Sequence, residues 1–277
     1  MESVTAGDTE IPALGFGTFQ LSGTNCRRAV RTALDSGYRH IDTAEYYDNE
    51  SAVGDAIEAS SVDRDDLFLT TKVWRSNLHH DDVITAAEAS LQRLGTSYVD
   101  LLLVHWPHPR VPVEETLAAM EQLRKRGLVR HIGVSNFTRS QLSEVNTVAE
   151  SNLVCNQVLY HPYKKQDALR AYCEETGTAL TAYSPLARGS VLDDQTLTRI
   201  GNRYDKTTAQ VTLRWLVQQP QLVAIPRSST PEHIRANAAV FDFELTAEEM
   251  QDIHDLSGGI SIRIRNRLPA VMRSFPL

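Results

Sequence analysis

The chain is poor in cysteine. Cys26, Cys155 and Cys173 are far apart and odd in number, with no C-x-x-C pair. A disulfide framework is excluded, and the reducing cytoplasm is the expected location. No apolar run approaches the ~20 residues of a membrane-spanning helix. The opening "MESVTAGDTEIPALG" has neither a basic region nor an apolar core, so no signal peptide is expected. Basic charge is not in excess either. A formal net charge of -7 argues against a nucleic-acid surface. There is no internal repeat, low-complexity tract or Pro/Ser-rich linker. No Walker A loop or G-x-S-x-G elbow occurs, and Gly15-Phe16-Gly17 lacks the third glycine of the dinucleotide fingerprint. Paired histidines at His79-His80, and the run from His105 to His108, have no spaced carboxylate cluster to complete a metal site, so no metal is expected.

What is present is an alternation. Short apolar runs begin at Ala13, Tyr38, Leu67, Val99, His131, Val154, Ala179 and Leu222, and segments with three-to-four spacing separate them. Ile84, Ala87, Leu91 and Leu94 form one such stripe, and Leu142, Val145 and Ala149 another. Thr138 with Gln141, Thr207 with Gln210 and Thr246 with Glu249 read as capping boxes, and Thr230 as a cap before Pro231. Parallel strands need helical crossovers, and eight of them favour a closed (β/α)8 TIM barrel. With 277 residues, one barrel domain over 1–277 accounts for the chain. The first residues read as a β-hairpin turning at Ala6-Gly7-Asp8 and plugging the barrel floor. Lids are expected after Ser184 and after Gly258.

The residues that end the runs are polar: Asp42, Lys72, His105, Ser135 with Asn136, Gln157, Tyr183 and Arg227. In a barrel they converge on the C-terminal rim, where barrel enzymes keep their chemistry. Any single one has the ordinary reading of a helix cap. An acid, a base and an imidazole on three successive strands ask for more. Tyr47 lies five residues after Asp42. A lysine held by a carboxylate would stabilise phenolate and lower the phenol's pKa, making Tyr47 a proton donor, while His105 orients a carbonyl oxygen. The set holds no electrons, so a reduction needs a hydride from a bound cofactor. A barrel hydrolase would need two facing carboxylates, and only Asp42 qualifies. A redox-sensing binding module with little turnover is the alternative to an enzyme.

"GFGTFQ" from Gly15, "HIDTAEYYDNE" from His40, "TTKVW" from Thr70, "LLLVHWP" from Leu101, "GVSNF" from Gly133, "NQV" from Asn156, "AYSPLARG" from Ala182 and "IPRSSTPEHIRAN" from Ile225 resemble the aldo-keto reductases in order and spacing, from about residue 10 to about 256. The resemblance implies an NADPH-dependent reductase of aldehydes and ketones, with Asp42, Tyr47, Lys72 and His105 as its catalytic tetrad. It implies that Tyr183 stacks on the nicotinamide while Ser135, Asn136 and Gln157 hold its carboxamide. Thr18 and Asp42 join the cofactor contacts, and Ser184 and Leu186 fold over the pyrophosphate. Arg227, Ser228, Ser229, Thr230, His233 and Asn237 grip the adenosine 2'-phosphate end. Phe19, Trp74 and Trp106 wall the substrate pocket beside Tyr47 and His105.

The chain also departs from the family pattern. Lysine is common where Arg227 stands, arginine at His233 and glutamate at Ala236. NADPH is therefore expected as cofactor, with NADH accepted more weakly. The stretch from Trp106 to Val113 is short, which implies a small lid and an open pocket. Arginines at 263, 265, 267 and 273 read as a solvated face. Small carbonyl compounds are the expected partners of a monomer that touches neither nucleic acid nor membrane.

Overall fold

The computed structural model describes residues 2–258. The arginine-rich tail lies outside the described residues. A hairpin opens the chain, β1 (Ser3–Ala6) antiparallel to β2 (Thr9–Pro12). Gly7, with φ of 62°, supplies the left-handed turn residue that a two-residue hairpin loop requires. Eight parallel strands follow in chain order: β3 (Phe16–Gly17), β4 (His40–Asp42), β5 (Phe68–Val73), β6 (Val99–Val104), β7 (Val129–Ser135), β8 (Cys155–Leu159), β9 (Ala179–Tyr183) and β10 (Leu222–Ile225). All eight expected runs contain one.

The last strand returns to the first. A parallel bridge joins Leu14 to Ala224. Gly15 N donates to the Ala224 carbonyl at 2.8 Å, Ala224 N to the Ala13 carbonyl at 2.9 Å and Gly17 N to the Pro226 carbonyl at 3.0 Å. The eight strands thus close into a (β/α)8 barrel.

Helices α1 (Gly23–Asp35), α2 (Glu50–Glu58), α3 (His80–Leu94), α4 (Val113–Lys125), α5 (Arg139–Val148), α6 (Asp167–Thr176), α7 (Gln195–Tyr204), α8 (Thr208–Val217), α9 (Pro231–Ala238) and α10 (Ala247–Asp255) pack outside. Asp81 and Asp82 sit in the first turn of α3 and Arg93 in its last, matching charge to the helix dipole. Its buried face is Val83, Ala87, Leu91 and Leu94, with Ile84 only partly covered. The stripe therefore starts one residue earlier than expected. Thr138, Thr207 and Thr246 form the three expected capping boxes. Thr230 is different. It stands at the start of α9 before Pro231 but makes no side-chain capping bond. Ser228 Oγ instead accepts from Thr230 N at 3.1 Å.

Apolar side chains fill two layers, one between strands and helices and one inside the barrel. In the inner layer Ala6 and Ile11 of the hairpin meet Leu101, Leu103, Cys155 and Val223. The hairpin thus closes the floor and leaves the opposite, C-terminal rim for a site.

Gly15 sits on the closing seam. A Cβ there would lie 2.6 Å from His40 Nδ1 and 2.9 Å from Ile225 Cγ2. Overpacking of this kind costs about 1–3 kcal/mol. Gly15→Ala is expected to lose stability in that range in urea unfolding, and an unchanged midpoint would mean that the seam relaxes without strain.

Candidate active site

Asp42 ends β4, and β4 pairs with β5 so that Asp42 lies beside Thr70. Lys72 is two residues farther along, hence on the same face as Thr70, and its side chain meets the carboxylate. The Nζ of Lys72 donates to Asp42 Oδ1 at 2.6 Å and to the Thr43 carbonyl at 2.7 Å, and it reaches the Tyr47 hydroxyl at 3.5 Å. Lys72 is 1% exposed and Asp42 2%, so this is a buried ion pair. Tyr47 belongs to a 3-10 turn, Glu45–Tyr47, that directly follows β4, and Asp48 behind it adopts a left-handed φ of 52°. His105, the first residue after β6, presents its imidazole edge-on to the Tyr47 ring, with centroids 5.6 Å apart.

The network extends beyond these four. Thr18, expected among the cofactor contacts, is fully buried and donates through both N and Oγ1 to the Asp42 carbonyl, at 3.0 Å each. The second carboxylate oxygen of Asp42 accepts from Gln157 Nε2 at 2.7 Å, a bond across 115 residues of sequence. Asn49 accepts from Thr43 Oγ1 at 2.7 Å and donates to the Thr18 and Leu21 carbonyls at 2.9 Å. Glu45 accepts from Trp74 N at 3.2 Å and so ties the tyrosine turn to the next loop. Reading the sequence for strand ends missed Asn49 and Glu45. Both lie within "HIDTAEYYDNE", where their polarity was a signal.

Burial sets the protonation states. It lowers the pKa of Lys72 against the opposing pull of Asp42. It pushes His105 down to about 2, with the Lys72 charge adding to the effect, and His105 Nδ1 is buried without a partner. The imidazole is neutral. Tyr47 corrects the sequence-based expectation. Desolvation, followed by the Asp42 carboxylate, holds its phenol well above the usual value. The pull of Lys72 in the other direction is outweighed, because the ammonium sits against Asp42 and is 3.5 Å from the phenol oxygen. The phenol stays a neutral donor.

A second cluster lies beside the first. In the β7–β8 register Ser135 is opposite Gln157. Asn136, with φ of 65°, donates to the His105 carbonyl and to Ser135 Oγ at 3.0 Å each and accepts from the Tyr183 hydroxyl at 3.0 Å. Amide, hydroxyl and aromatic face on three neighbouring strands are a donor and acceptor set that fits a nicotinamide carboxamide. Ser184, Ala187 and Arg188 all have left-handed backbone, with φ of 49°, 48° and 55°, and Leu186 packs partly buried in that turn. Such folded-back loops suit anions. At the far end Arg227, Ser229 and His233 are exposed, Ser228 and Thr230 half-buried and Asn237 buried.

The pocket walls are aromatic. The Phe19 ring, 42% exposed, lies 5.0 Å from that of Tyr47. Trp74 is edge-on to His105 at 5.0 Å and stacked on Tyr46 at 3.9 Å. Trp106, next to His105, is half-buried. Among the described residues no group of three His, Cys, Asp or Glu is placed to hold a metal ion. No helix among them is long and apolar enough to cross a membrane.

Residues 13–257 match the profile described as the Aldo/keto reductase family. The chain belongs to this family. It is 43% identical over 249 residues to the glyoxal reductase of Bacillus subtilis (strain 168), covering 90% of each chain. To the methylglyoxal reductase DkgB of Escherichia coli O157:H7 it is 42% identical, over 88% of this chain and 92% of that one. The crystal structure of a putative 2,5-diketo-D-gluconic acid reductase B aligns with a TM-score of 0.91 at 45% identity, over 92% of this chain and 91% of the other. The crystal structure of an aldo-keto reductase complexed with NADPH aligns with a TM-score of 0.87 at 34% identity, over 92% of this chain and 87% of that one. As an aldo/keto reductase, the chain reduces carbonyl groups with a nicotinamide cofactor.

In this aldo/keto reductase the phenol lies above its ordinary value of about 10 and the imidazole far below 6.5, so neither changes charge between about pH 5 and pH 9. The turnover number for carbonyl reduction is expected to be flat over that range at saturating substrate. An acid limb centred near 6.5 that disappears in His105→Asn would show that the imidazole titrates.

Proposed function

We propose that this aldo/keto reductase is an NADPH-dependent reductase of small aldehydes and ketones in which Tyr47 is the proton donor. The observation that carries the reading is Lys72, held by Asp42 and within reach of the Tyr47 hydroxyl beside a neutral His105. The glyoxal and methylglyoxal reductases among its relatives support small, reactive carbonyl substrates.

Ser135, Asn136 and Gln157 would hold the carboxamide and Tyr183 the ring face. Bound there, a reduced nicotinamide supplies hydride to the carbonyl carbon. The carbonyl oxygen lies toward Tyr47 and His105. A neutral imidazole N–H donates to it and fixes its position. As negative charge grows on that oxygen, the phenol proton crosses to it, because an alkoxide is much the stronger base. The phenolate left behind lies 3.5 Å from the Lys72 ammonium, which stabilises it more than it stabilises the neutral phenol. Lys72 thus lowers the cost of forming phenolate, a pull that burial and the Asp42 carboxylate outweigh while the phenol rests. Phe19, Trp74 and Trp106 exclude water around the reacting carbon. Arg227 and the start of α9 would receive the 2'-phosphate.

Tyr47→Phe is expected to fold and to lose about 100- to 10,000-fold in turnover number, the worth of a positioned general acid. Tyr46→Phe keeps the stack on Trp74 and should retain most activity. Steady-state assays of both with methylglyoxal and NADPH decide it, and near-normal turnover in Tyr47→Phe removes that residue from the role.

The Michaelis constant for NADPH is expected to lie roughly tenfold below that for NADH, between the limits of an exposed ion pair and a charge-assisted hydrogen bond. Equal constants for the two cofactors would dismiss a phosphate-reading site.

A further inference from the structure

Arg227 follows the last barrel strand and is already engaged. Its Nε donates to the Phe19 carbonyl at 3.1 Å, and its Nη2 to Gln20 Oε1 at 3.0 Å. These bonds cross the seam that closes the barrel. Below them the seam is made of backbone bonds, from Gly15 N to the Ala224 carbonyl and from Gly17 N to the Pro226 carbonyl. One step higher the backbones no longer pair, and the guanidinium takes over.

The segment it grips needs a grip. Gln20 has a left-handed φ of 63°, which a residue with a Cβ adopts only when its surroundings impose it. The Phe19 ring is 42% exposed, and its ring contact is with Tyr47 at 5.0 Å. Among the described residues that ring is exposed on its solvent side. Its position follows from its backbone, and the Phe19 carbonyl is held by Arg227.

We propose that Arg227 is a positioning residue for the carbonyl pocket: it clasps the 18–20 turn across the barrel seam and sets the Phe19 wall against Tyr47. This rests on the reading above in taking the space beside Tyr47 as the carbonyl site, and its link to the cofactor in taking Arg227 as the adenosine end. The clasp uses two of the five guanidinium N–H donors, so three remain for a phosphate. One side chain therefore joins the adenosine end of the cofactor site to the substrate wall. Lysine would keep the charge but not the planar fork that spans two acceptors.

The test is to purify Arg227→Ala, Arg227→Lys and Gln20→Ala and to measure Michaelis constants for methylglyoxal and for each cofactor. Hydrogen exchange of the 15–22 segment is followed in cofactor-free protein. The informative arm uses NADH, which has no 2'-phosphate. Arg227→Ala is expected to raise the methylglyoxal constant with NADH roughly two- to fivefold, the scale of exposed charged contacts, and to speed exchange of the segment. Arg227→Lys should do the same while keeping the NADPH preference, and Gln20→Ala should show a smaller effect of the same sign.

Unchanged exchange in Arg227→Ala overturns the clasp, whatever the kinetics. Faster exchange with an unchanged methylglyoxal constant overturns its bearing on the pocket. A raised NADPH constant with neither of the expected changes leaves Arg227 as a phosphate reader alone. The reverse pattern, with both expected changes and an unaltered NADPH constant, sustains the clasp and removes the phosphate reading.

Discussion

Everything at the rim of this barrel is arranged around the buried pair of Asp42 and Lys72. An ammonium and a carboxylate out of water are costly unless their remaining hydrogen-bonding capacity is met. Here it is met from all sides. Lys72 also donates to the Thr43 carbonyl, and Asp42 also accepts from Gln157 on the far side of the barrel. Thr18 fixes the Asp42 backbone from the seam. Gln157 lies on another strand and Thr18 directly after one, so the pair is fully satisfied only when the barrel is closed. In return it fixes a cation next to a phenol.

The charge is confined to that pair. His105 and Tyr47 are both neutral, for the same reason and in opposite directions: burial lowers the imidazole and raises the phenol. A site of neutral donors around one compensated ion pair suits a reaction in which negative charge appears on oxygen only transiently. His40, a layer below Asp42 and pushed down to about 4 by burial, continues the pattern into the core, with Thr70 Oγ1 at 3.1 Å from its Nε2.

The loops above depend on side chains bridging where backbone pairing stops. Asn49 joins the turn after β3 to the turn after β4, Glu45 joins the tyrosine turn to the Trp74 loop, and Arg227 joins the two ends of the seam. A barrel supplies rigid strand ends, and these bridges convert them into a pocket of fixed shape.

The sequence by itself determined the eight strands, the plugging hairpin, three capping boxes and the residues that the strand ends present. These follow from local rules: period-two strands, helical stripes, turn residues and polar residues at the ends of apolar runs. The α3 stripe packs on the core as expected, but Val83 joins it and Ile84 is only partly covered, because only packing decides which edge of a broad stripe is covered. Thr230 stands at the expected N-cap position before Pro231, but its side chain makes no capping bond. The pairing of Asp42 with Gln157 and the grip of Arg227 on Phe19 span 115 and 208 residues, and no local pattern announces them. The phenol's pKa was judged in the wrong direction for a related reason. Proximity of a lysine is visible in a strand order, but desolvation is a property of the closed barrel, and it outweighs a cation already neutralised by its carboxylate.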